Sequence, residues 1–288
     1  MNEPDNTKRG AKLALSARAA MRALEKRLAK EARVPAARAQ QLYYDAMDAA
    51  TDDEEFALIE KALKLDPGNV DALLAALRHR PLPEADEIEV LRTIVAVAER
   101  RLGPQAFKEF EGAFWGFVET RPYMRARAQL AEALRAAGRI EEAIAEWEAV
   151  LKLNPNDNQG VRYPLLASYL VAGRMDGAAR LFETYDECAW NTVFAWGRVL
   201  ERWLSGDAAG ATDALAVARK QNAFTEGFLK RQRRLPKYLP AMYGSGSKEE
   251  AVCFAGPLCM AWDRHPQALK WLAGQAIGRS GRDRPSRG

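Results

Sequence analysis

Apolar residues recur three and four positions apart along most of this chain, the spacing that gathers side chains on one face of an α-helix. The clearest run is Leu130 to Gln159, LAEALRAAGRIEEAIAEWEAVLKLNPNDNQ. Leu130, Ala131 and Leu134 share one helical face, and Ala143, Ile144, Trp147, Val150 and Leu151 share a second. Gly138 stands between them, where the chain must reverse. Glycine takes a left-handed conformation there without a Cβ clash. Pro155 lacks an N–H and disfavours helix at Asn154, which predicts the end of the second helix. Asn156 and Gln159 have the spacing of a capping box for the next helix. No sustained β-branched alternation interrupts the pattern, so an all-α fold is expected.

The same grammar returns downstream. Gly138, Gly173 and Gly206 are 35 and 33 residues apart, and Ala143, Ala178 and Ala211 keep that spacing five residues further on. Trp147, Phe182 and Leu215 follow four residues later. A period of about 34 residues, built from helix–turn–helix units, marks a stacked array. A small residue lets the two helices approach, and a large apolar one fills the groove a turn later. These residues resemble the tetratricopeptide repeat (TPR) family over Arg125–Pro155. TDDEEFALIEKALKLDPGN, Thr51 to Asn69, resembles the second half of another unit, with Ala62 and Pro67 in place. Arg127 departs from the family pattern, which has a large apolar residue there. The resemblance implies a TPR-like helical-hairpin array (α-solenoid), whose first helices line a concave partner-binding wall.

Read in order, the chain divides into a basic N-terminal helix or arm (1–35), divergent hairpins (36–120), the TPR-like repeats (121–221), a C-terminal helical cap (222–276) and a disordered tail (277–288). Ala36–Ala50 and Thr51–Leu65 are expected to form the first hairpin, Val70–Arg80 and Glu84–Leu102 the next two helices, and Ala106–Val118 an aromatic-rich helix after a Gly103-Pro104 turn. Ser247, with Glu250 three residues on, opens a helix by a capping box, and His265-Pro266 starts a last one. KRQRRLPKYLP, Lys230 to Pro240, reads as a loop or short helix broken by its prolines. ETYDE, LPKYLP, GSKEEAVCFAG and QALKWL lie in order between Leu165 and Leu272. That order resembles the suppressor of tumorigenicity 7 family, a helical-repeat group with no agreed biochemical activity, which implies a scaffold and no catalytic residue.

Charge changes the picture only locally. The 288 residues carry a net charge of +4. Residues 8–38 hold ten bases against Glu25 and Glu31, residues 45–60 are acidic, and bases return over 219–237 and in the tail. Such basic ends permit contact with nucleic acid, although the N-terminal helix has no interleaved aromatic to stack a base. Cys188, Cys253 and Cys259 are too few and too irregular for a disulfide framework. No apolar run approaches the ~18 residues of a membrane span, and the first residues do not read as a secretory signal, so a cytoplasmic protein is expected.

Candidate chemistry is sparse. His79 and His265 are the two histidines. No HExxH or paired CxxC motif occurs, and Tyr243–Lys248 lacks the full phosphate-loop pattern. No catalytic residue, metal site or cofactor is expected, which leaves binding. Polar side chains on first helices, off the packing stripe, are the candidates: Arg125, Glu132 and Arg135 in the best unit, and Asn158, Arg162 and Tyr169 in the next. Arginine and tyrosine are enriched at interface cores. A groove with Arg125, Arg135 and Arg162 suits an acidic or C-terminal peptide through bidentate carboxylate contacts.

Overall fold

A computed structural model describes residues 35–275. The expected N-terminal basic helix and disordered tail lie outside the described residues. Every regular element among the described residues is helical. The described residues form two compact units, residues 35–109 with 117–126, and residues 110–116 with 127–275.

In the first unit, α1 (Pro35–Met47) and α2 (Asp52–Leu65) form the expected hairpin. Ala39, Ala46, Ile59 and Ala62 close against each other and against Ala72 and Ala75 of α3 (Val70–His79). Alanine at these contacts lets the helices approach closely. Thr51 and Asn69 cap α2 and α3 with their side-chain oxygens, satisfying N–H groups that have no partner in the first turn. The segment α4 (Glu84–Glu109) is two helices that meet at a kink at Gly103, whose φ of 70° leaves the helical region where the turn was expected. The aromatic helix expected over Ala106–Val118 stops instead at Glu109. Gly112 adopts φ +77°, and two short 3₁₀ turns follow at Phe114–Gly116 and Val118–Thr120. A left-handed glycine cannot continue a helix, so its position ends the segment whatever the aromatic spacing.

Helix α5 (Arg121–Ala136) carries the chain into the second unit. There α6 (Ile140–Leu153), α7 (Arg162–Ala172), α8 (Met175–Thr184), α9 (Thr192–Leu204) and α10 (Ala208–Gln221) complete three successive hairpins. Their glycines, Gly138, Gly173 and Gly206, all take φ between 72° and 79°. Each is followed by an N–H that reaches back five residues: Arg139 to Leu134 at 2.8 Å, Arg174 to Tyr169 at 2.9 Å, and Asp207 to Arg202 at 3.0 Å. That backward bond satisfies orphan carbonyls at the helix end. Ala143, Ala178 and Ala211 are fully buried, and Trp147, Phe182 and Leu215 nearly so. The unit is thus an all-α hairpin array with the expected small–large packing code.

The chain then runs through α11 (Phe224–Leu229), a long exposed loop, α12 (Lys248–Asp263) and α13 (Pro266–Gly274). Ser247 caps α12, accepting from the Glu250 N–H at 3.0 Å, and His265-Pro266 opens α13.

Candidate partner-binding surface

In a hairpin array the inner wall is built from first helices, here α5, α7 and α9. Six successive residues of α7, Leu165–Leu170, are buried, as are Thr192–Gly197 of α9. A run of six exceeds one helical turn, so both helices are enclosed on every side at that level. The second helices cover one side, and α12 covers another, packing against both α7 and α9. The C-terminal segment therefore lies along the first helices rather than extending the stack.

Four polar contacts seat α12 there. The buried Glu250 carboxylate accepts from the Thr192 N–H of α9 (3.3 Å), from Gln221 (3.2 Å) and Asn222 (3.1 Å) at the end of α10, and from the Gly246 N–H (2.6 Å). At its other end Met260 meets the Arg135 guanidinium of α5 at 3.8 Å. Beyond it, His265 Nε2 lies 2.8 Å from the Leu170 carbonyl at the end of α7, which makes that nitrogen the donor. Tyr163 of α7 packs edge-on to Phe254 at 5.8 Å between centroids.

The six residues expected to face a partner fall into different environments. Arg125 lies in the first unit, where its guanidinium grips the buried Asp71 carboxylate bidentately at 2.9 and 2.8 Å. Asp71 also accepts from Gln40 at 3.0 Å, and Gln40 accepts from the capping Asn69. The other five lie in the second unit. Arg162 donates to Asp157 and Glu187, each at 2.8 Å, and to the Tyr163 hydroxyl at 2.6 Å. Its charge also faces the Tyr163 and Tyr185 rings. Burial works against that charge, but the Asp157 hydrogen bond and neighbouring Glu187 outweigh it and hold the guanidinium more firmly protonated. Burial likewise pushes the Tyr163 phenol up, and Glu187, accepting its proton, adds to the rise.

Tyr169 is buried, its hydroxyl 2.6 Å from Glu148 of α6. Its ring lies against Gly177 of α8, where an added Cβ would come within 2.6 Å. The expectation that Tyr169 and Arg162 look into an open groove is corrected on this ground: one fills the hairpin interior and the other is committed to two buried acids. Glu132 is exposed and pairs with Arg135, the turn-to-turn neighbour three residues on. Asn158 is exposed in the turn before α7. The capping box expected from Asn156 and Gln159 is also corrected. Asp157 performs the capping, accepting from the Val161 and Arg162 N–H groups at 2.9 and 3.0 Å. Its short side chain tolerates the φ of 46° this requires.

The residues missed were the acids. Asp157 had a visible signal, since it stands two positions after Pro155 as the capping Asn69 stands two after Pro67. Asp71, Glu187 and the carboxylate of Glu250 had none, because their partners come from distant helices.

No group of histidine, cysteine and acidic side chains suited to a metal occurs among the described residues, and no helix among them is long and apolar enough to cross a membrane. The tetratricopeptide repeat family matches residues 125–157, the α5–α6 hairpin with the turn that follows. No curated protein matches the chain.

Proposed function

We propose that the protein is a non-enzymatic scaffold that holds an acidic segment of a protein partner, in a reducing, cytoplasmic setting. Residues 125–157 match a tetratricopeptide repeat, and repeats of this type generally mediate protein–protein interaction. The observation that carries the reading is the matched hairpin, set in a run of three with the same glycine turn.

The acceptor is the first-helix surface of that hairpin, from Arg135 and Glu132 toward Asn158. Arg135 is already engaged by an exposed acid of its own helix. A partner carboxylate arriving in the same plane competes with Glu132 for a bidentate guanidinium. Glu132 is the exposed member, and a pair one turn apart on a helix contributes only about 0.2–0.5 kcal/mol, so the exchange costs the fold little.

The test is calorimetry with a partner recovered by crosslinking and mass spectrometry after nuclease treatment. Arg135→Glu is expected to weaken binding on the order of tenfold or more. Glu132→Gln, which releases Arg135, is expected to tighten it. Equal affinity for both variants removes the acceptor assignment. A partner lost on nuclease treatment favours the basic ends and nucleic acid instead, through a salt-dependent phosphate contact.

A further inference from the structure

Of the fifteen residues from Arg231 to Ser245, all but Pro240 are exposed. Large apolar side chains are not spared. Tyr238 is 75 % exposed, Leu239 66 %, Met242 84 % and Tyr243 52 %. Ser245 donates to the carbonyl of Trp190 at 3.4 Å, which places a further exposed aromatic residue at the foot of the loop. Single exposed apolar residues need no explanation, but a contiguous set on one projecting loop marks an interaction site.

Within the loop the charge has one sign. No acid occurs between Glu226 and Glu249, while Arg233, Arg234 and Lys237 lie within the loop. Lys230 and Arg231 at its base are neutralised by Glu226 and Asp263. Arg233 and Lys237 lie over the rings of Phe224 and Tyr238. Under the loop is a cleft of about 260 Å³, whose lining includes Arg234, Lys248 and Glu249.

We propose that this loop is a peripheral contact for an anionic lipid bilayer, with Tyr238, Leu239 and Met242 entering the headgroup–acyl boundary and Arg233, Arg234 and Lys237 meeting lipid phosphates. Charge complementarity selects the anionic surface. The apolar tip selects a bilayer over a purely electrostatic partner, because amphipathic tyrosine and tryptophan bury a ring and keep a polar tip wet at that interface. A protein partner is the weaker fit. A stable protein interface takes about 20–30 residues from each side with matched shapes, whereas a few exposed apolar anchors with adjacent bases suffice at a lipid surface that deforms around them. This contact is separate from the scaffold surface at α5, so either can fail without the other.

The full chain is to be sedimented with vesicles of phosphatidylcholine alone, and of three parts phosphatidylcholine to one part phosphatidylserine. Binding is expected to the second and not the first. The basic stretches at 8–38 and in the tail also attract anionic lipid, so the deciding variant keeps every charge: Tyr238→Ser with Leu239→Ser and Met242→Ser. It is expected to lose at least tenfold in vesicle partitioning, with unchanged thermal unfolding because all three side chains are exposed. Arg233→Glu with Arg234→Glu and Lys237→Glu is expected to lose at least as much. Wild-type partitioning in the triple-serine variant, or no wild-type binding to the anionic vesicles, overturns the proposal.

Discussion

Gly173 and Gly177 stand four residues apart and are glycine for different reasons. Gly173 needs its left-handed φ of 72°, and a Cβ there meets nothing within 4 Å. Gly173→Ala is therefore expected to cost about 1–2 kcal/mol from backbone conformation alone. Gly177 is helical, but an added Cβ would come 2.6 Å from a ring that Glu148 holds in place. Gly177→Ala is expected to cost about 1–3 kcal/mol by overpacking. In a Tyr169→Ala background that cost should nearly vanish while the Gly173→Ala cost stays; urea midpoints of the double-mutant cycle measure both. A second residue-scale expectation concerns pH. Burial raises the Glu226 carboxyl, yet its hydrogen bonds and ion pairs to Arg219 and Lys230 outweigh burial and hold it below its ordinary value. A carboxyl lowered in the folded state contributes stability above its unfolded value of about 4.3 and loses it as pH falls through the folded value. Glu226→Gln should flatten the acid side of a stability–pH profile and lower stability near neutrality.

At the scale of elements, the three hairpins are local objects. Helical spacing, a glycine at φ near +75° and a small residue at the closest approach specify each one with little outside help. The seating of α12 has another origin. Ser247 and Glu250 announced the start of this helix, but the Glu250 carboxylate serves α9, α10 and the loop more than its own first turn. Glu250→Ala leaves several buried donors without an acceptor, each a loss of about 1–3 kcal/mol where no water enters. The expected outcome is a lower denaturant midpoint and early proteolysis at α12, with the α5–α6 hairpin still protected. Uniform loss of protection across the second unit would show that α12 and the repeats unfold as one.

At the scale of the molecule, α12 decides how much of the repeat wall is available. Trp262, Leu258 and Ala255 are fully buried, so α12 is part of the core of its unit. A chain ending at Gly246 should expose the faces of α7 and α9, bind a hydrophobic dye and associate. If it stays monomeric and folded, the cover is dispensable and the wall can be opened. By itself the sequence determined the helical class, the hairpins, their glycine turns and the helix stops at Asn154 and Asp66, because helix period, left-handed φ and the missing proline N–H act over a few residues. It did not determine which polar side chains remain free. Tyr169 and Arg162 had the right type and place for a groove, yet tertiary structure turned one onto Gly177 and the other onto Asp157 and Glu187. Glu148 and Glu187, 21 and 25 positions away, come from other elements, and the cover on the repeat wall comes from further still: Met260 reaches Arg135 across 125 positions and His265 reaches Leu170 across 95. Burial is a property of what packs on a residue, and no local pattern carries that.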